Sequence, residues 1–125
     1  MTRPLGVAAS GHKETSKAAR ILLEEGGNAF DAALGAMCAA CVSEPMLASL
    51  GGGGYLLTQT PTGQPQVFDF FTQVPSAATG ELDFYPINAD FGTTTQEFHI
   101  GMGSIAVPGV VAGLFAVHQA HCSLP

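Results

Sequence analysis

Four consecutive glycines, Gly51 to Gly54, stand between Leu50 and the apolar run Tyr55-Leu56-Leu57. Glycine loses more conformational freedom on folding than any other residue, so four in a row within a packed chain need a structural reason. A phosphate-binding loop requires glycines followed by Lys and Ser or Thr at a helix N-terminus, where free amides and the dipole meet the anion. Here the glycines run into Tyr55-Leu56-Leu57, which reads as a strand, and no lysine follows. A flexible linker has polar flanks, and these are apolar. The remaining reading is close approach of backbone to a neighbour that a side chain would block. The expectation is that a strand beginning near Tyr55 packs closely under the preceding helix, and that Gly53→Val disrupts folding of the complete protein before it affects any catalytic step.

That preceding helix has clear limits. Val7 to Ser10 reads as extended, and Thr15 to Glu25 as a first helix with Ala18, Ile21, Leu22 and Leu23 largely on one side. Gly26-Gly27 stops it, because glycine readily takes the left-handed conformation at a helix end. Asn28 then caps a second helix, with Asp31 three residues on completing a capping box and complementing the positive end of the dipole. This helix, Ala29 to about Val42, is small or apolar almost all round, which predicts burial on several sides. Glu44-Pro45 ends it, since a residue before proline avoids the helical region.

Downstream, Tyr55–Gln59 and Gln66–Phe71 read as a hairpin around the turn Pro61-Thr62-Gly63-Gln64. Pro75 to about Gln96 reads as irregular, and its length suits a segment that covers a site or another subunit. Ser104 to Val107 reads as extended, Pro108 as a first helical residue, and Val110, Val111, Leu114 and Val117 as the apolar stripe of a third helix. Alternating helices and strands make the fold class α/β, in α+β layers. The 125 residues, 46% hydrophobic, suffice for one small domain or a piece of one.

The formal net charge is −6, and all four basic residues, Arg3, Lys13, Lys17 and Arg20, lie in the first twenty positions. No cation follows to neutralise phosphates or an anionic membrane surface, so neither nucleic acid nor membrane is expected as partner. The N-terminus lacks the basic start and apolar run of a secretory signal, and three unpaired cysteines suit a reducing compartment; both point to the cytoplasm.

Residue chemistry alone assembles no complete active site. Cys38 and Cys41 form C-x-x-C, and His118, His121 and Cys122 offer further zinc ligands, but the pair sits within an alanine-rich helix with no second C-x-x-C, so core packing is the expected role. Mid-helix placement also argues against a reactive dithiol. His12, His99, His118 and His121 are possible general bases and Ser10 and Ser104 possible nucleophiles, yet no spacing links them; surface or capping roles are expected for lone histidines. Thr93-Thr94-Thr95 reads as loop, and the acidic residues are scattered. No metal and no cofactor is called for.

Several segments in order carry a resemblance: Gly6-Val7-Ala8-Ala9-Ser10, Glu25-Gly26-Gly27-Asn28-Ala29-Phe30-Asp31-Ala32-Ala33, Glu44-Pro45, Gly51 to Gly54, and Val107-Pro108-Gly109. Together they resemble the start of the large subunit of the γ-glutamyltransferase family, from about residue 6 to Pro125. The resemblance implies part of an N-terminal-nucleophile hydrolase, a four-layer αββα sandwich whose precursor cleaves itself. A new N-terminal threonine on the small subunit then attacks an amide. It implies that no catalytic residue lies in these 125 residues, and that the partners are the remainder of the large subunit, the threonine-bearing small subunit and a small-molecule amide, with glutathione the usual type. A rival expectation is a truncated, non-catalytic remnant of that family.

One family contact does fall in this region, an arginine in a stretch reading roughly Asp-x-Arg-Glu-x-x-Pro that grips the α-carboxylate of the γ-glutamyl group. The matching residues are Asp69-Phe70-Phe71-Thr72-Gln73-Val74-Pro75. Phe71 stands at the arginine position and Thr72 at the glutamate position, so these two are the expected substrate-binding residues. A phenyl ring cannot replace a bidentate guanidinium–carboxylate grip, and no Lys or Arg follows Arg20. The acyl pocket is therefore expected to be less anionic in its preference than that of a typical family member.

Overall fold

The computed structural model describes residues 6–77 and 81–125. By its internal packing the chain divides into two compact units, Met1–Phe71 with Pro108–Pro125, and Thr72–Val107.

In the first unit, helix α1 (Lys13–Glu24) begins at His12, whose imidazole accepts the Glu14 amide, and ends where Gly26 turns to φ +93°. Helix α2 (Ala29–Ser43) starts at Asn28 with both halves of the capping box formed: Asn28 Oδ1 accepts the amides of Phe30 and Asp31, and Asp31 Oδ2 accepts the Asn28 amide at 2.7 Å. It stops at Glu44, ahead of Pro45. The two helices pack through Thr15, Ala19 and Leu23 of α1 and Ala32 of α2. This inner face differs from the expected Ala18–Ile21–Leu22–Leu23 side, for Ile21 is exposed. Spacing of i, i+4, i+8 puts Thr15, Ala19 and Leu23 on one face of α1.

Strands β1 (Tyr55–Thr58) and β2 (Gln66–Asp69) form an antiparallel hairpin, Tyr55 opposite Asp69 and Thr58 opposite Gln66. A further pair, Gly54 with Phe70, extends the ladder through two backbone bonds of 3.3 and 3.1 Å. Helix α3 (Val110–His121) closes this unit, with Val110 and Val117 fully buried. Its first residue is Val110, capped by Gly109, so Pro108 precedes the helix and does not begin it as expected, and Gly113 takes the inner position that Val111 was expected to share; Val111 is exposed. The Phe70 ring fills the space a Gly113 side chain would take, so only glycine lets α3 seat there.

The second unit holds an element that composition concealed. Strands β3 (Tyr85–Asp90) and β4 (Thr95–Ile100) pair antiparallel, Tyr85 opposite Ile100, where Pro75 to Gln96 was expected to be irregular. Pro86 masked the signal, yet in a two-stranded ladder every strand is an edge and one missing donor is tolerated. Asp90 Oδ1 accepts the Gly92 amide and Gly92 adopts φ +85°, making the turn. A 3-10 turn (Met102–Ser104) follows, so Ser104 does not begin an extended segment. Its start is held by Asp83, whose Oδ2 accepts the Met102 amide and whose carbonyl accepts the Gly103 amide. Gln73 and Val107 exchange two backbone bonds, of 3.0 and 2.7 Å, and so tie the ends of the unit together.

Two expectations about burial are corrected here. Of α2 only Asp31 and Ala32 are buried, and Cys38 is exposed, because among the helices and strands only α1 and α3 approach it. The glycine run does not bring β1 under α2 either; no Cα of β1 lies within 8 Å of one in α2. Its close contacts are with α3 and β2. The Gly52 carbonyl accepts the amides of Gly109 and Val110 at the start of α3, and a Cβ on Gly54 would stand 3.2 Å from the Phe70 ring.

Candidate functional site

Between the middle of α2 and the glycine run the first unit forms an open pocket of about 710 Å³, lined by residues such as Met37, Ala40, Gly53, Tyr55, Phe70 and Val117. Its size falls within the range of small-molecule sites, and its walls are mainly apolar. Phe70 projects from the end of β2 towards α3, and strand alternation sends Phe71 to the opposite face. There Asp69 Oδ1 accepts the Phe71 amide at 3.0 Å and fixes the local turn. The Phe71 ring stacks on Tyr55, with centroids 5.5 Å apart and planes 13° apart. Both rings keep much of their surface open, 62% for Tyr55 and 49% for Phe71. Of the two expected substrate-binding residues, Phe71 thus belongs to an aromatic pair, and Thr72 follows it, half-buried, as the first residue of the second unit.

Tyr55 was not singled out from sequence. The signal was present in the hairpin register: pairing Tyr55 with Asp69 places Tyr55 and Phe71 diagonally on one face.

A second polar centre is structural. The Asp31 carboxylate, besides closing the capping box, accepts the Ser123 hydroxyl at 2.7 Å and the amides of Ser123 and Leu124. Asn28 Nδ2 donates to the His121 carbonyl at 2.7 Å, so the start of α2 is latched to the end of α3. Burial pushes the Asp31 carboxyl upward, but the Ser123 hydroxyl and the amides of Asn28, Ser123 and Leu124 outweigh it and hold the acid far below its usual range. Beside it the Cys122 thiol is pushed up to about 11, by burial first and then by Asp31 as hydrogen-bond partner and negative charge. Cys122 is therefore a neutral thiol at pH 7 and a poor nucleophile.

The remaining candidates stay apart. Ser10 Oγ lies 2.6 Å from Ser16 Oγ and donates to the His12 carbonyl, and Ser104 Oγ donates to the Gly101 carbonyl; both serve local turns. His12 is a cap, His99 stacks on Phe84, and His121 stacks on Phe30 with Phe68 at its edge. Among the described residues no group of three His, Cys, Asp or Glu stands together to hold a metal ion. Among them, too, no helix is long and apolar enough to cross a membrane.

The sequence profile of gamma-glutamyltranspeptidase matches residues 15–125. The chain belongs to the gamma-glutamyltranspeptidase family. It is 29% identical over 120 residues to the glutathione hydrolase proenzyme of Escherichia coli, a match covering 96% of this chain and 20% of that protein. It is 31% identical over 112 residues to the acylase ACY 1 proenzyme of Pseudomonas sp. (strain SE83), covering 86% of this chain and again 20% of the relative. The gamma-glutamyltranspeptidase of Helicobacter pylori superposes with a TM-score of 0.77 at 28% identity, covering 99% of this chain and 35% of that one. The chain thus spans about a fifth of the length of these curated relatives, and its helices and strands are part of the N-terminal-nucleophile hydrolase fold.

Proposed function

We propose that this chain is the N-terminal portion of an amidohydrolase precursor that cleaves or transfers an acyl group, supplying scaffold and one wall of the acyl site through Phe71 and Thr72. The observation that carries the reading is the family match over residues 15–125. The names of the relatives, glutathione hydrolase and acylase, both denote hydrolysis of an acyl bond. The threonine nucleophile belongs to the small subunit, beyond these residues, and the partners are that subunit and the remainder of the large one. A threonine at a chain start can use its own α-amine as base, because that amine titrates near neutrality and lies beside the hydroxyl. The substrate is a small-molecule amide, not a nucleic acid or a membrane, and the compartment is the cytoplasm. Phe71 makes the acyl pocket less anionic in its preference than an arginine-bearing one.

Expression of the full-length precursor tests this. The expected result is self-cleavage into two polypeptides, the smaller starting with threonine by mass spectrometry, with poor turnover of γ-glutamyl-p-nitroanilide. A precursor that stays whole and hydrolyses no amide overturns the enzyme reading in favour of a non-catalytic remnant. Efficient turnover of that substrate at low concentration overturns the changed acyl preference alone.

A further inference from the structure

We infer that Tyr55 is a specificity-determining residue which, stacked on Phe71, presents an aromatic platform to a flat, uncharged aromatic acyl side chain. The inference rests on the reading of Phe71 as part of the acyl site, and it names the class of acyl group. Two observations carry it. The Tyr55 and Phe71 rings are nearly parallel and both remain about half open or more, so a third ring can continue the stack. The charge that shares this face is a carboxylate: Asp69 is the register partner of Tyr55, and partners in an antiparallel ladder point to the same side. An anionic acyl side chain meets repulsion there, while a neutral ring does not. The Asp69 carboxylate is exposed and already accepts the Phe71 amide, which weakens its hold on a cationic side chain.

The tests use the full-length protein. Binding of phenylacetamide is measured by titration calorimetry beside γ-glutamylamide and lysinamide, for the wild type and for Tyr55→Ala, Tyr55→Phe and Leu57→Ala. The expected order places phenylacetamide first. Tyr55→Ala raises its Kd about five- to tenfold, the range expected for one lost stacking partner. Tyr55→Phe, which keeps the ring, and Leu57→Ala, elsewhere on the strand, leave it within about twofold. Turnover of phenylacetyl-p-nitroanilide then shows a raised KM in Tyr55→Ala with kcat unchanged, the mark of lost ground-state binding. Tighter binding of γ-glutamylamide or lysinamide overturns the inference, as does a phenylacetamide Kd indifferent to Tyr55→Ala. Tyr55-dependent binding without hydrolysis of any amide keeps the platform and overturns the hydrolase reading. Hydrolysis without Tyr55-dependent binding does the reverse.

Discussion

The two units of this chain are held together by opposite means. The first depends on contacts between residues far apart in sequence: Asp31 with Ser123 and Leu124, about ninety positions on, Gly52 with Gly109 and Val110, and Phe70 with Gly113. The second is held by near neighbours, a hairpin with a four-residue turn and an aspartate capping a 3-10 turn nineteen residues on. Long-range contacts cost loop-closure entropy before they stabilise anything, so the first unit stands or falls as a whole, while the second can lose one part at a time.

Substitutions sharpen that contrast, and the largest effect is expected at the seat of Phe70. Gly113→Val places carbon where the ring lies, and overpacking of this kind costs about 3 kcal/mol. Amide hydrogen exchange of the complete protein should accelerate across α2, β1, β2 and α3 together, with little change in β3 and β4; uniform acceleration of both units would break the comparison. Within the glycine run the same substitution should matter more at Gly54, which faces the Phe70 ring, than at Gly53, which lines the open pocket, so the effect first expected of Gly53→Val moves one residue along.

Next is Asp31→Ala, which strips the acceptor from three donors at the end of α3 and one at Asn28, a loss of about 2–3 kcal/mol. Because folding lowers the pKa of Asp31, its contribution is complete above about pH 4 and is lost as pH falls below that value through the folded pKa. In acid titrations followed by circular dichroism, wild type and Asp31→Asn should therefore differ at neutral pH and converge at the acid end. A gap that persists undiminished to pH 2 would refute the latch as a titrating group.

Asp83→Ala in the second unit removes one cap, costs about 1 kcal/mol, and should speed exchange only around Met102 and Gly103. The smallest effect is chemical and not energetic. Exposed Cys38 should react with iodoacetamide at pH 7 well before Cys122, whose thiol stays protonated up to about pH 11. Mass spectrometry of partially alkylated protein reads that order directly.

What was legible in the sequence follows the same division between near and far. The Asn28 and Asp31 cap, the Gly26 stop, the Glu44-Pro45 end and the hairpin around Pro61 to Gln64 are decided within a few residues, and all were readable. The second task of Asp31 was not, since nothing near Ser123 announces a partner ninety residues away. The β3–β4 hairpin was local too, but Pro86 and the cluster of threonines hid its alternation. Burial of α2 was misjudged because small residues show that close packing is possible without showing which elements supply it. At the candidate site, Phe71 was named from its place in the Asp69–Pro75 stretch, and its stacking on Tyr55 needed the strand register.

The pair of backbone bonds between Gln73 and Val107 has an architectural consequence. Chain enters and leaves the second unit at a single clasp, so everything between those two residues is a cassette. Its hairpin can be shortened, lengthened or exchanged while the clasp still holds the two ends of the unit together, which makes this segment the natural point at which to insert new sequence.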